Sequence, residues 1–232
     1  VVLLFVGLLV ARPVLALMST PANVIDDAVL YLRIYILGAP CFMVYNFGAS
    51  ILRSKGDTKR PLYILLIAGV INTVLNFVLV IGFHMSVAGV GIATDIANLF
   101  CASVIVWLLS CESDPFRLRP RHITIYKSEL KRILQIGLPA GLQGMVFSLS
   151  NIFVQSAING FGSAAVAGSS VAQMFEAYCY FLLGSFSGAA VTFVGQNYGA
   201  GQMARCKRIY WICLRGGMVV CIIANALFMV FA

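Results

Sequence analysis

Charge is what this 232-residue sequence has least of: 10% of its residues are Asp, Glu, Lys or Arg, where a soluble domain carries about a quarter. Carboxylates are the scarcer sign, eight against sixteen Lys and Arg. The two histidines, His84 and His122, stand alone in loops. The seven cysteines are scattered, mostly within apolar runs, with no Cys-x-x-Cys pair. That excludes a metal-ligand spacing and a disulfide framework, and leaves the thiols as small buried hydrophobes. There is no Ser–His–Asp set, no phosphate-binding glycine loop, no pair of carboxylates within one apolar run and no signal peptide. No enzymatic activity, cofactor or bound metal is expected, beyond a coupling ion.

What is abundant is apolar surface. Hydrophobic residues make up 61% of the chain and the mean hydropathy is +0.96. Helices that are apolar all round need burial in protein or lipid, and a chain of this length has too little core to hide them. Seven runs, 1–17, 31–52, 62–83, 87–109, 136–158, 164–194 and 209–231, approach or exceed the roughly 20 residues that cross a bilayer. The expected fold is an all-α polytopic membrane protein with about seven transmembrane helices, and lipid is its first partner. The opening run is short and begins at Val1, and the closing run stops at Ala232 without an exit signal. An internal piece of a longer chain, whose remaining helices are further partners, is expected.

The net charge of +8 is not spread evenly. Arg53, Lys55, Lys59 and Arg60 share one loop. Arg117, Arg119, Arg121, Lys127, Lys131 and Arg132 share a second, and Arg205, Lys207 and Arg208 a third. Between them lie loops with almost no basic residue, 19–29, 83–86 and 159–163. This alternation follows the positive-inside rule. It predicts a multi-pass inner-membrane protein with its basic loops in the cytoplasm, touching anionic headgroups, and no nucleic-acid partner.

Three regions follow: helices at 1–110, a cytoplasmic linker at 111–135, and helices at 136–232. Within the linker, Leu130, Ile133 and Leu134 oppose Glu129, Lys131 and Arg132, which predicts a short amphipathic surface helix at 128–135. Gly38 and Pro40 predict a kink in the second run. The small residues Gly184, Ser185, Ser187, Gly188 and Ala189 leave two readings of run 164–194: a tilted or bent helix, or a straight one that protrudes.

Polar side chains inside these runs are the candidate functional groups, because they are costly in lipid and face a bundle interior or a wet cavity. Asn72 and Asn76 lie four apart on one helical face. Asn46 lies on the preceding run, Thr94 and Asp95 on the following one. Together they form either an oxygen-rich pocket suited to sodium or an interhelical hydrogen-bond set, and Asp95 alone suits a proton. Beyond the linker, Gln143, Asn151 and Gln155 form a stripe with Phe147 between them. Gln173 and Glu176 follow on the next run, where burial would suit Glu176 to proton binding. Tyr178 and neighbouring aromatics would line a cavity for apolar or cationic solutes, or pack against lipid.

Several segments, in order, resemble the multidrug and toxic compound extrusion (MATE) family. They are Tyr31-Leu32-Arg33-Ile34, Leu37-Gly38-Ala39-Pro40, the loop from Leu52 to Pro61, Asn72-x-x-x-Asn76 and Gly89-Val90-Gly91-Ile92-Ala93-Thr94. The second half adds Ile136-Gly137-Leu138-Pro139-Ala140-Gly141-Leu142-Gln143 and the stretch from Thr192 to Ala200. The resemblance implies a two-lobe, twelve-helix exporter of which this chain holds the third to ninth helices. It implies export of cationic and amphipathic compounds against inward sodium or protons. Asn46, Asn72, Asn76 and Thr94 match positions of the family's cation site, although Asn76 stands where the pattern often has Asp. Phe147-Ser148 stand where some members carry Glu, Asp95 where an apolar residue is usual, and Glu176 where some relatives are acidic.

The expected function is therefore a proton- or sodium-coupled antiporter working by alternating access. Its expected ion or proton sites are Asn46, Asn72, Asn76, Thr94, Asp95 and Glu176. Its expected substrate cavity contains Gln143, Phe147, Asn151, Gln155, Gln173 and Tyr178. The alternatives are a lipid-linked oligosaccharide flippase of the same superfamily, which would need basic residues in its cavity, and a non-transporting membrane fragment.

Overall fold

A computed structural model describes residues 2–17, 25–114, 116–119 and 124–231. Pro21 of the first non-basic loop, and Arg121 and His122 of the linker, lie outside the described residues. Seven α-helices follow one another: α1 (Val2–Leu17), α2 (Ile25–Ser54), α3 (Lys59–Asn76), α4 (Ser86–Ser110), α5 (Lys127–Asn159), α6 (Ser163–Gly199) and α7 (Met203–Phe231). No strand occurs among the described residues. Each helix coincides with one of the seven apolar runs. Six are long and apolar enough to cross a membrane, while α1 has 16 residues. The chain is an all-helical membrane-spanning protein.

α2 is a single helix that contains Gly38 and Pro40, and α5 a single helix that contains Pro139. One local expectation changes. Residues 128–135 form the first turns of α5 rather than a separate surface helix, because nothing between Lys127 and Gly137 interrupts the backbone ladder. α6 runs as one helix through Gly184 and Gly188. At 1.5 Å per residue its 37 residues reach about 55 Å, well beyond the roughly 30 Å of hydrocarbon. The sequence pattern also missed a π-helical turn, Phe77–Gly82, that continues α3. There the Phe83 N–H donates to the Val78 carbonyl, 3.0 Å away, and His84 takes a left-handed φ of 54°.

The chain divides into two compact units, 1–121 and 122–232. In the first, α2 and α4 approach through residues without side chains. A Cβ on Gly48 would lie 2.7 Å from Ile105 Cγ1, one on Gly91 2.9 Å from Ile34 Cγ2. Lipid tails are as apolar as leucine, so helices in a membrane associate through such close packing rather than by escaping solvent. Tyr45, Ala49 and Leu52 of α2, Ile64 and Ala68 of α3, and Ala97, Cys101, Ile105 and Leu109 of α4 form the buried cluster. The Tyr45 hydroxyl donates to the Pro61 carbonyl at 3.0 Å, which ties the α2–α3 turn to this core.

The same end of the unit carries an ionic clamp. Glu112, just after α4, accepts from Lys55 and Arg60, and Arg60 also binds Asp57. Lys55 lies 5.9 Å from the Phe116 ring centroid. Two of the basic loops therefore meet at one end of the unit, as their common sign requires. The hydrogen bonds from Lys55 and Arg60 hold the Glu112 carboxyl below its ordinary value of 4.5. Burial pushes the Asp57 carboxyl up, but the Arg60 backbone N–H and guanidinium outweigh it, leaving Asp57 below 3.8.

In the second unit, α6 and α7 pack through Gly216 and Gly217 against Phe186 and Leu183. The Phe175 and Phe228 rings pack at 4.5 Å between centroids, tilted 48° to each other. Large apolar side chains point outwards: Phe153 is 74% exposed and Val191 73%. Such patches in water mark interaction surfaces; here they lie on helices long and apolar enough to cross a membrane.

Two predictions follow from the first unit. Gly48→Ala forces a methyl group onto the fully buried Ile105 and lowers stability by about 1–3 kcal/mol, read as a fall in the melting temperature in detergent. Glu112 and Asp57 have lowered folded values, so their stabilisation is complete above the ordinary carboxylate range and is lost as the pH falls through those values. Glu112→Gln therefore melts earlier than the natural sequence at pH 7, and the difference between the two shrinks as the pH falls below the ordinary carboxylate range and through the lowered Glu112 value.

Candidate functional site

Polar side chains gather in two places, one in each unit. In the first, the four-residue spacing of Asn72 and Asn76 puts both on the face of α3 that meets α4. The Asn76 amide donates to Asn72 Oδ1 at 3.1 Å. The Asn72 amide donates to Thr94 Oγ1 at 3.4 Å, and the Thr94 hydroxyl donates to the Val90 carbonyl at 2.9 Å. The bonds run in one direction and end on backbone. At the head of the chain, Asn76 Oδ1 is buried with no donor, immediately before the π turn. π turns are rare and concentrate at functional sites.

Asp95 follows Thr94 but is turned about 100° around α4, towards α2. Its Oδ1 is buried without a partner and lies against Gly38, where a Cβ would be 1.8 Å away. Asn46 takes no part in the chain: its amide donates to the Phe42 carbonyl of its own helix at 2.8 Å. The five polar residues therefore separate into an Asn76–Asn72–Thr94 chain, an Asp95–Gly38 contact and a self-satisfied Asn46. Two bare oxygens result, both acceptors: the Asp95 carboxylate suits a proton or a small hard cation, and the Asn76 amide oxygen suits a small hard cation.

In the second unit, α5 and α6 border an open cleft of about 660 Å³. Glu176 is exposed in it rather than buried as the sequence predicts, because among the described residues no third helix packs over it. Phe147, Asn151, Gln155, Gln173 and Glu176 line it, with Tyr180 and Phe181. The Gln173 amide donates to Gln155 Oε1 at 2.9 Å and bridges the two helices. Gln143 and Tyr178 are not among the lining residues. Tyr178 is two positions, or about 200°, around α6 from Glu176 and is 58% exposed. Ser169 was not singled out from the sequence, yet Ser169, Gln173, Glu176 and Tyr180 repeat at three- and four-residue steps, the signal that would have found it. The lining holds one carboxylate and no Lys or Arg.

With this geometry in view, the comparisons with known proteins agree on one origin. A family model described as MatE matches residues 1–78 and 139–232. The chain belongs to the MatE family. It is 31% identical over 216 residues to a probable multidrug resistance protein, YoeA, of Bacillus subtilis (strain 168), covering 90% of this chain and 47% of the relative. It is 26% identical over 216 residues to a FAD transporter of Shewanella oneidensis, again 90% of this chain and 47% of the relative. The chain thus spans about half the length of the curated relatives it matches. A crystal structure of MATE in complex with MaD3S superposes with a TM-score of 0.89 at 23% identity, covering 99% of this chain and 52% of that one. A MOP superfamily transporter from Pyrococcus furiosus gives 0.90 at 23%, covering 100% and 52%. These likenesses show that the fold is the MATE fold.

The Asp95–Gly38 contact makes a specific prediction for this MatE chain. Gly38→Ala drives a methyl group into the carboxylate and destabilises, whereas Gly38→Ala with Asp95→Ala recovers much of the loss. Melting temperatures of the two single variants and the double variant should depart from additivity by about 0.5–3 kcal/mol.

Proposed function

We propose that the protein containing this chain is a proton- or sodium-coupled antiporter that exports cationic or amphipathic compounds across the inner membrane, with its basic loops in the cytoplasm. The observation that carries the reading is the α5–α6 cleft, which places Glu176 beside the Gln155–Gln173 bridge and the Phe147, Tyr180 and Phe181 rings. A carboxylate among aromatic faces attracts an organic cation by charge and by cation–π interaction, and the amides accept or donate to its polar edge. The same carboxylate can take a proton instead. Competition between the two at Glu176 links export to proton entry, because a ligand drives a conformational exchange only through its differential affinity for the two states.

In the first unit, Asp95 and the bare Asn76 oxygen are the further positions for the coupling ion, with Asn72 and Thr94 holding Asn76 in place. Asn46, bonded to its own helix, would join a cation only after turning its amide. Rocking of two lobes about a central cavity, as in other repeat-built transporters, would expose the cargo to each side in turn. No cofactor enters this scheme, and the work is transport rather than catalysis.

The FAD transporter among the relatives raises a flavin nucleotide as cargo, and a lipid-linked oligosaccharide flippase would likewise carry phosphates. A cleft lined by a carboxylate and no Lys or Arg repels such anions, so cationic export is the better fit.

Expression of the complete parent protein in a pump-deficient bacterium tests this. Ethidium accumulation should fall with the natural sequence and return in Glu176→Gln or when the proton gradient is collapsed. Export that survives the substitution removes Glu176 from the mechanism. A well-inserted natural protein that exports nothing overturns the drug-export reading.

A further inference from the structure

The cations of α7 are not all explained by membrane topology. Arg205, Lys207 and Arg208 fall in its first two turns and Arg215 two turns further on, all exposed. No carboxylate follows Glu176 in the sequence. Cations at a helix N-terminus oppose the helix dipole, so they are not there to stabilise α7. The positive-inside rule accounts for the first three. Arg215 is different: it lies about 10 Å deeper along the axis than Arg208, inside the apolar span Met203–Met229. Its guanidinium lies 5.9 Å from the Trp211 ring centroid. A guanidinium at that depth is costly unless its long side chain reaches a partner at the interface, and tryptophan is itself enriched at that level.

Lys207, Trp211, Leu214, Arg215 and Met218 share one helical face, with Arg208 at its edge. Leu214 and Met218 also border a groove of about 260 Å³ formed with Leu183 and Phe186 of α6. A Cβ on Gly216 would stand 2.8 Å from the Phe186 ring, so that glycine lets α6 and α7 close up beside the groove. Along the helix Lys207 and Arg208 come first and Trp211 next, and Leu214 and Met218 border the groove; Arg215, between those two, reaches back to the Trp211 ring. Cations gathered about an aromatic ring at the mouth of an apolar groove match a phosphate above an acyl chain.

We propose that this face of α6 and α7 binds an anionic phospholipid. Lys207, Arg208 and Arg215 hold its phosphate beside Trp211, and one acyl chain lies in the Leu183–Phe186–Leu214–Met218 groove. The site rests on the membrane-spanning character of the fold and is independent of which compound is exported.

Native mass spectrometry of the complete, delipidated protein mixed with phosphatidylglycerol or phosphatidylcholine of identical chains tests it. The natural sequence should retain phosphatidylglycerol roughly tenfold more than phosphatidylcholine, and Arg208→Gln with Arg215→Gln should bring the two level. Lys127→Gln with Lys131→Gln, the same charge change on α5, should lower the preference much less than the α7 pair does. Equal retention of both lipids by the natural protein overturns the site, whatever the variants do. An equal loss from the α5 variant also overturns it, by showing that net charge alone selects the lipid. Arg215→Lys keeps the charge but not the planar stack, and should lower the preference part of the way; full preference would remove the Trp211 pairing from the site.

Discussion

How closely α2 can approach α4 governs the first unit. In a bilayer, apolar side chains gain nothing by leaving lipid for one another, so a stable bundle needs backbones that come near enough for dense contact. Gly48 against Ile105 and Gly91 against Ile34 provide that approach. Once the two helices are in this register, much else follows. Asp95 falls over Gly38, and the Tyr45 hydroxyl reaches Pro61. Glu112 emerges beside Lys55 and Arg60 at the end where the basic loops gather.

The same register leaves polar atoms unanswered. The Asn76–Asn72–Thr94 chain donates in one direction and ends on the Val90 carbonyl, so no donor in it turns back to Asn76 Oδ1. Asp95 Oδ1 is left over for a different reason: it faces a glycine, which offers no donor. A buried acceptor without a partner costs roughly 1–3 kcal/mol. A fold built only for stability has no reason to keep two of them. Under the proposed antiport they have one, because a cation at either oxygen, or a proton at Asp95, that binds in one state and leaves in another would drive an exchange. The second unit carries the complementary device, a cleft in which one carboxylate sits among aromatic rings.

Much of this was legible in the sequence, and for local reasons. All seven helices were written in run length, and the Asn72–Asn76 pairing in the four-residue step that aligns side chains on any helix. Thr94 was correctly grouped with them because α3 and α4 are consecutive. What was not legible depended on rotation and register. Asp95 was grouped with Thr94 by sequence adjacency, yet a 100° turn sends it to a different neighbour. Tyr178 was grouped with Glu176 by proximity and faces elsewhere. Asn46 was read as a pocket residue because it lies on the neighbouring helix, but its amide is answered one turn back by Phe42. The π turn after Asn76 and the unbroken passage of α5 from Lys127 onward had no compositional signal. Two resemblance-based expectations, the MATE family and its fold, were met by the MatE match and by the superposed structures.

Proton movement in proteoliposomes tests the central claim most directly. With the complete protein reconstituted in sodium-free buffer, an ethidium gradient imposed across the membrane should drive a counterflow of protons, visible with an enclosed pH dye. Asp95→Asn and Glu176→Gln should each abolish that signal while the protein remains folded and inserted. Ethidium flux with no pH change would contradict proton exchange. Undiminished counterflow in both variants would show that neither of the two carboxylates carries the proton.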